Sequence, residues 1–423
     1  MKRTIVIGAG LGGISIAYEL KQKLPKDHEI LLINEGSEFH FIPSNPWVAL
    51  GERTRDQVVL DLTPYTKKFK IPFNTSGVAQ IHAQDKCLQT EDGTEYEYDY
   101  LAICTGPKLA FEAVPGAGPE NGYTQSVCTV DHAVRSHEAY QQLIKNPGPV
   151  IVGALEGASC FGPGYEYILS LESQLRKLKI RDQVPMTFVT SEPYIGHMGL
   201  GGVGDSKALM EHEFRERGIQ WICNARTTHF EPNMAHVEEL NRKGEVDFEH
   251  HLPFSMAMFL PPFKGSPAIA NVPDLCNPKG FVLTDEYQRS PTYPEIFAAG
   301  VCVAIPPLEE TPVPVGAPKT GFMIESMTSA IVENILSIER GEAVKTKPSM
   351  NAVCLADMGD KGAAFIALPQ NPPRNTNWTS MGQWVHIAKI AFEKYFLYKV
   401  KKGTSEPIYE KYIMKAAGIK RTQ

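Results

Sequence analysis

Arg3-Thr4-Ile5-Val6-Ile7-Gly8-Ala9-Gly10-Leu11-Gly12-Gly13-Ile14, followed some twenty residues on by Ile30-Leu31-Leu32-Ile33-Asn34-Glu35, decides the fold. Ile5 to Ile7 reads as a buried parallel strand, Ile14 to Leu24 carries helical apolar spacing, and Ile30 to Ile33 reads as a second strand. Between the first strand and the helix stands GxGxxG. Gly8 lets the chain turn tightly, Gly10 leaves room for a pyrophosphate to touch backbone, and Gly13 lets helix and strand approach closely. The helix N-terminus offers free N–H groups to phosphate, and Glu35 suits a ribose diol, an arrangement fitted to FAD or NAD. Strand, turn, helix and acid at these distances favour a dinucleotide site over a glycine turn kept for packing.

Working outward, 423 residues suffice for two or three domains and a large core. The net charge of −6 gives no reason to expect nucleic acid as a partner. Charge is uneven, however. Trp378 to Gln423 holds nine Lys/Arg against three Glu, a basic tail of +6 on a body of −12. With the nucleotide strand so close to the start, no secretory signal is expected. No apolar run reaches the roughly 18–20 residues of a membrane span. The eight cysteines show no CxxC pair and no Cys/His set at zinc spacing, so no structural metal is expected.

Further along lies the proline- and aromatic-rich loop Phe39 to Trp47, placed to close over a cofactor, and residues 77 to 106 read as a meander with a hairpin turn at Glu91 to Thr94. The meander ends in Tyr100-Leu101-Ala102-Ile103-Cys104-Thr105-Gly106, which resembles the ATG element of flavoproteins with two dinucleotide-binding domains, the disulfide reductase superfamily. Val150-Ile151-Val152-Gly153-Ala154-Leu155-Glu156-Gly157-Ala158 stands where that superfamily places its second, NAD(P)H-binding turn. Leu155 replaces the central glycine and Ala158 the third, so the expectation is a nucleotide-binding fold whose site is lost. A functional NADH site with an unusual turn is the competing reading. Strand Gln183 to Phe188 and helix Ser206 to Gly218 continue this second domain, and the chain is expected to return to the first near Leu252. Pro294 to Val301 resembles the second FAD fingerprint, with Gly300-Val301 in place of the usual Gly-Asp. A stiff segment through Pro318-Lys319-Thr320-Gly321 then leads into a helix over Phe322 to Arg340, whose N-terminus and Lys319 face an anion.

Three cysteines stand in distinctive surroundings: Ser126-Val127-Cys128-Thr129-Val130-Asp131-His132, Gly157-Ala158-Ser159-Cys160-Phe161-Gly162-Pro163 and Val353-Cys354-Leu355-Ala356-Asp357. Cys160 lies at an expected helix start, where a thiol pKa is lowered. The others (Cys87, Cys104, Cys223, Cys276, Cys302) read as small buried residues. With Ser44 to Val48 and Pro312 to Gly321, these blocks resemble the sulfide:quinone oxidoreductases of the three-cysteine type over nearly the whole chain.

The resemblance implies an α/β fold of two Rossmann-like domains, the second degenerate, plus an amphipathic helical C-terminal region. The divisions fall at 1–113 with 250–345, 114–249 and 346–423. It implies FAD held by Gly8, Ala9, Gly10, Gly12, Gly13, Asn34, Glu35, Ser44, Asn45, Val78, Thr105, Gly106, Gly300, Val301, Lys319, Thr320 and Gly321. Cys160 and Cys354 would form the pair that takes up sulfide and holds a growing polysulfur chain. Cys128 would assist release or bond the flavin, and His132, His197 and Glu166 would handle protons. In the tail, Trp384, Val385, Ile387, Ala388, Ala391, Phe392, Tyr395, Phe396 and Leu397 make an apolar helical surface, with Lys389, Lys394, Lys399, Lys401 and Lys402 around it. Alone, this pattern suits two helices packed on the core or a homo-oligomer contact. With the resemblance it implies attachment to an anionic lipid surface, the bacterial inner membrane, and a quinone pocket at Phe392, Tyr409 and Leu355. The competing families are a flavocytochrome c type sulfide dehydrogenase and a type II NADH:quinone oxidoreductase, the latter opposed by Leu155.

Overall fold

The computed structural model describes residues 2–405 and 421–423. In chain order the elements that position the site begin with β1 (Arg3–Ile7), α1 (Leu11–Lys23), β2 (Glu29–Ile33), β3 (Phe73–Asn74) and β4 (Tyr100–Ile103). Then come α2 (Val130–Lys145), β5 (Val150–Ala154), α3 (Gly162–Lys177), β6 (Met186–Thr190), α4 (Ser206–Glu216) and β7 (Ile219–Ile222). Strands β8 (Ala225–Glu231), β9 (Met234–Leu240), β10 (Val246–Pro253), β11 (Met256–Leu260) and β12 (Ile296–Ala298) precede α5 (Gly321–Glu339). The chain ends with β13 (Ala352–Asp357), β14 (Gly362–Leu368), β15 (Thr376–Gly382) and α6 (Gln383–Lys402).

The first sheet is parallel, in the order β12-β4-β1-β2-β3. From Ile5 in β1 and Ile30 in β2 onward, and through β4 and β12, its strands are apolar because both faces are covered: Val6, Leu32 and Ala102 enter the main core, while Ile5, Ile7, Leu31 and Ile103 enter a second cluster on the opposite face. The second sheet is also parallel, in the order β7-β6-β5-β11. Because Met256–Leu260 pairs with Val150–Ala154, the return expected near Leu252, with a boundary at 250, comes only after Leu260. Besides the antiparallel meander of residues 78–97, the structure holds two antiparallel three-stranded sheets, β8-β9-β10 and β13-β14-β15. The second of these packs against α3, α5 and α6, which brings Cys354 to both Rossmann-like halves.

The opening turn follows its steric reading. Gly8 has φ +95°, and a Cβ there would lie 2.3 Å from the Cys104 carbonyl oxygen. A Cβ at Gly13 would fall 1.8 Å from the Gly8 carbonyl oxygen, so α1 can lie this close to the turn only with glycine. Gly13→Ala must push the helix off the strand, and it is expected to lower the unfolding free energy by about 1–3 kcal/mol, read as a lower urea midpoint.

Candidate functional site

The glycine turn forms one wall of a cavity of about 410 Å³ lined by Gly8, Asn34, Glu35, Val78, Thr105 and Gly106 among others. Ala9 N–H donates to Asn34 Oδ1 (2.9 Å), tying the turn to the end of β2. Nothing lies within 4 Å of where a Gly10 Cβ would stand, and no side chain caps α1 at Gly10, which fits a diphosphate approaching the first-turn amides. Glu35 is at the rim, its side chain 84% exposed and 3.3 Å from the Lys108 ammonium. Gly12 serves packing: its Cβ would meet Ile324 at 3.3 Å, where α1 crosses α5. These residues fit the adenosine diphosphate half of a dinucleotide.

At the other end of the first sheet, Gly300 (φ +89°) ends the β12 turn and Val301 offers its carbonyl to Lys319 Nζ at 3.3 Å. Burial pulls the Lys319 ammonium down to about 8, partly opposed by Cys302, and the ammonium lies 4.7 Å over the Phe281 ring. Thr320 caps α5, its Oγ1 accepting from Met323 N–H. A Cβ at Gly321 would stand 3.8 Å from the Phe392 ring. Phe392 in turn packs with Phe396 (4.5 Å) and Phe41 (6.0 Å), so an aromatic cluster sits at the N-terminus of α5. Tyr409 lies outside the described residues.

Ser44 and Asn45 join segments, although Asn45 Oδ1 is buried without a hydrogen-bond partner among the described residues. Ser44 Oγ donates to Glu393 on α6 (2.5 Å), and Asn45 Nδ2 donates to the Val127 carbonyl (2.9 Å), one residue before Cys128.

Cys128, Cys160 and Cys354 are free thiols on three separate segments. The charge of Cys160 raises the pKa of both other thiols, which makes Cys160 their shared neighbour. Its position two residues before α3 is as expected, but its acidity is the reverse. Burial pushes Cys160 up to about 11 and Cys128 and Cys354 up to about 12, because loss of hydration outweighs the helix end. Along β13, side chains alternate, so Cys354 shares a face with Ala352 and Ala356 while Leu355 points to the opposite face. Of the five remaining cysteines, Cys104 and Cys302 are buried, whereas Cys87, Cys223 and Cys276 are only partly so.

The second glycine turn is filled by the protein itself. Leu155 is fully buried and its N–H donates to the Leu260 carbonyl (2.9 Å); Gly157 N–H donates to the Pro314 carbonyl (2.7 Å). Gly316 N–H closes the clasp on the Ala158 carbonyl (2.8 Å). Of the amides that would meet a pyrophosphate, that of Leu155 is spent on β11 and that of Gly157 on the segment that leads to Lys319.

His132 Nε2 pairs with Glu120 (2.8 Å), while its Nδ1 is buried without a hydrogen-bond partner among the described residues. His197 is fully buried, with Nε2 2.7 Å from Glu309, and burial lowers its pKa against that carboxylate. Glu166, inside α3, is paired with Lys389, and burial pushes its carboxyl up to about 7 against the pull of that ammonium.

Lys389 and Lys399 therefore do not ring a surface. Both turn inward, Lys399 onto Glu325, and Lys389 stacks 4.7 Å over Trp47. The sequence reading also missed Asp357, fully buried, which accepts from Trp47 Nε1 (2.7 Å) and lies 3.0 Å from His386 Nδ1. A signal existed for Lys389: it falls four residues after Val385 and seven before Phe396, on the buried stripe of α6.

The profile of the pyridine nucleotide-disulphide oxidoreductase family matches residues 2–323. A sulfide-quinone reductase of Aquifex aeolicus is 43% identical over 415 residues, covering 98% of this chain and 94% of that protein. The mitochondrial sulfide:quinone oxidoreductase of Mus musculus is 25% identical over 371 residues, covering 84% and 77%. The X-ray structure of the Aquifex aeolicus sulfide:quinone oxidoreductase superposes with a TM-score of 0.95 at 41% identity, covering 100% of this chain and 97% of that one. NDH2 from Plasmodium falciparum, at 12% identity and a TM-score of 0.71 over 95% of this chain and 96% of its own, shares the fold alone. The chain belongs to the pyridine nucleotide-disulphide oxidoreductase family and, within it, to the sulfide:quinone oxidoreductases.

Proposed function

We propose that this chain oxidises sulfide to polysulfide at Cys160 and Cys354 and delivers the electrons to quinone. The observation that carries the reading is the grouping of three half-buried thiols, with Cys160 the common neighbour of Cys128 and Cys354, beside the clasped segment that ends in Lys319 and the α5 N-terminus.

In the oxidised enzyme a bridge joins Cys160 and Cys354. Hydrosulfide attacks one bridge sulfur, so that one S–S bond forms and one breaks, leaving a persulfide on one cysteine and a thiolate on the other. Closure of thiolate and persulfide into a trisulfide releases two electrons. FAD, the cofactor of this family, supplies the two-electron acceptor that couples this closure to quinone. Lys319 holds a positive charge where negative charge accumulates, and the α5 N-terminus adds its dipole. Further rounds lengthen the sulfur chain, and Cys128, near Cys160, takes it over for release. Glu166, with its carboxyl near 7, exchanges a proton at neutral pH, and His132 Nδ1, without a hydrogen-bond partner among the described residues, offers a further hydrogen-bonding position.

Quinone enters beside Phe392, against the α5 N-terminus. No helix among the described residues is long and apolar enough to cross a membrane. Trp384, Ile387 and Tyr398 lie exposed along one side of α6, with Trp378 packed against Trp384 and with Lys394, Lys401 and Lys402 near the same side. That stripe rests in the lipid headgroup region, so the chain attaches without spanning.

Cys160→Ala and Cys354→Ala are each expected to reduce sulfide-dependent quinone reduction to background while the flavin absorbance is retained; near wild-type rates in both would exclude the bridge. Anaerobic mixing with sulfide should bleach the flavin, and NADH should not, since the second turn's amides are taken; bleaching by NADH alone would overturn the assignment. The Lys319 ammonium is present below about pH 8 and lost above it. The rate should therefore fall as pH rises through about 8. Lys319→Arg should move that limb upward, and Lys319→Met should remove it and cost about a hundredfold in kcat.

A further inference from the structure

The antiparallel sheet β8-β9-β10 takes no part in the chemistry above, yet it carries an ordered row of imidazoles. Its register sets His229 opposite His236 and His236 opposite His251, so three histidines from three strands lie side by side on one face. Glu231, two residues after His229 on the same strand, shares that face. The His229 and His236 rings stack with centroids 4.0 Å apart and 7° between their planes.

In both rings Nδ1 is engaged and Nε2 is not. His229 Nδ1 lies 3.1 Å from Thr228 Oγ1, and His236 Nδ1 lies 2.8 Å from His251 Nδ1. A proton on each Nδ1 leaves the Nε2 lone pairs facing the Glu231 carboxylate, at 3.9 Å from His229 and 3.5 Å from His236. A plain surface ion pair would align His236 Nε2–H on that carboxylate. Instead His236 Nε2 is buried without a hydrogen-bond partner among the described residues. All three donor atoms fall within 4.8 Å of one another. Zinc bonds of roughly 2.0–2.1 Å at tetrahedral angles set donors about 3.4 Å apart, so closure brings donors together by at most about 1.4 Å, with the stacked rings tilting to aim both Nε2 atoms at the ion. Metal-binding histidines characteristically have their second nitrogen held by a neighbour, the part played here by Thr228 and His251.

We propose that His229, Glu231 and His236 form a divalent transition-metal site that takes Zn²⁺, with Thr228 and His251 as positioning residues. The set is two imidazoles and a carboxylate without thiolate, which suits zinc, and the exposed side of the sheet leaves the fourth position to water. The ion ties β8 to β9 across their pair. Spacing concealed the site, because His229-x-Glu231 and His236 match no zinc signature and are joined by register across a hairpin.

The test is titration of the FAD-loaded enzyme with Zn²⁺ against a chromophoric chelator, in the absence of sulfide, with Co²⁺ absorption as the second readout. Wild type should bind Zn²⁺ and give cobalt d–d bands without thiolate charge transfer. His229→Ala and His236→Ala should each weaken Zn²⁺ by at least about a hundredfold, and His251→Ala by about 10–100-fold. Since Glu231 is exposed, Glu231→Gln keeps the comparison open should an imidazole deletion disturb the sheet; it too should weaken binding. Zn²⁺ affinity unchanged by these substitutions, absence of binding in wild type, or a thiolate band with Co²⁺ would each overturn the proposal.

Discussion

Much of the arrangement depends on one clasp, the exchange of backbone hydrogen bonds between Gly157 and Pro314 and between Gly316 and Ala158. Pro312, Pro314 and Pro318 fix φ along this segment, so little chain entropy is lost in laying it over the second glycine turn. Gly316 is required there, because a Cβ would stand 2.6 Å from that of Ser159. The clasp has two consequences at once. It consumes an amide a second dinucleotide would need, and it sets Cys160, two residues past Ala158, against the segment that delivers Lys319 and the α5 N-terminus. The filling of the second glycine turn and the placing of Cys160 are the same piece of backbone geometry.

The C-terminal region is fixed by buried charge rather than by apolar contact alone. Glu166 on α3 holds Lys389 and Glu325 on α5 holds Lys399, with Arg421 also 3.1 Å from Glu325. Buried ion pairs add little net stability, since desolvation offsets their attraction, but losing one partner costs about 3–5 kcal/mol. They act on register. A helix attached by apolar residues could slide by a turn, whereas two lysines ten residues apart on α6, meeting acids on two different helices, admit one position. In that position Phe392 lies against Gly321 and His386 against Asp357.

The first domain was legible because its constraints are local. Gly8 and Gly13 are each required by a backbone approach of about 2 Å, Gly10 leaves open space at the first turn of α1, and strand, turn and helix are contiguous in the chain. Leu155 stands out locally for the same reason, and the structure shows its side chain fully buried within the turn. The return to the first domain was misplaced because Met256–Leu260 is an apolar run equally suited to either sheet, and only pairing with Val150–Ala154 decides between them. Lys389 and Lys399 were read as a surface rim because their partners lie more than seventy residues away in sequence. The histidine row was invisible for a related reason: register, not spacing, brings His229, His236 and His251 together.

The acidity of the thiols bears on how the site must work. A reduced pair is inert toward hydrosulfide whatever its acidity, because both partners are at the sulfide oxidation level and no S–S bond can form between them without an oxidant. Burial in addition holds all three thiols protonated at neutral pH, at about 11 to 12. In the proposed mechanism entry is therefore made by hydrosulfide on a sulfur already oxidised, that of the Cys160–Cys354 bridge. The same burial makes each cysteine a poor leaving group, because a thiol of high pKa departs slowly unless it is protonated as it goes. An acid that titrates near neutrality is therefore a requirement of the buried site. Burial supplies one by the same effect that raised the thiols: it lifts Glu166 to about 7, while leaving it paired with Lys389 on the helix that also carries Phe392.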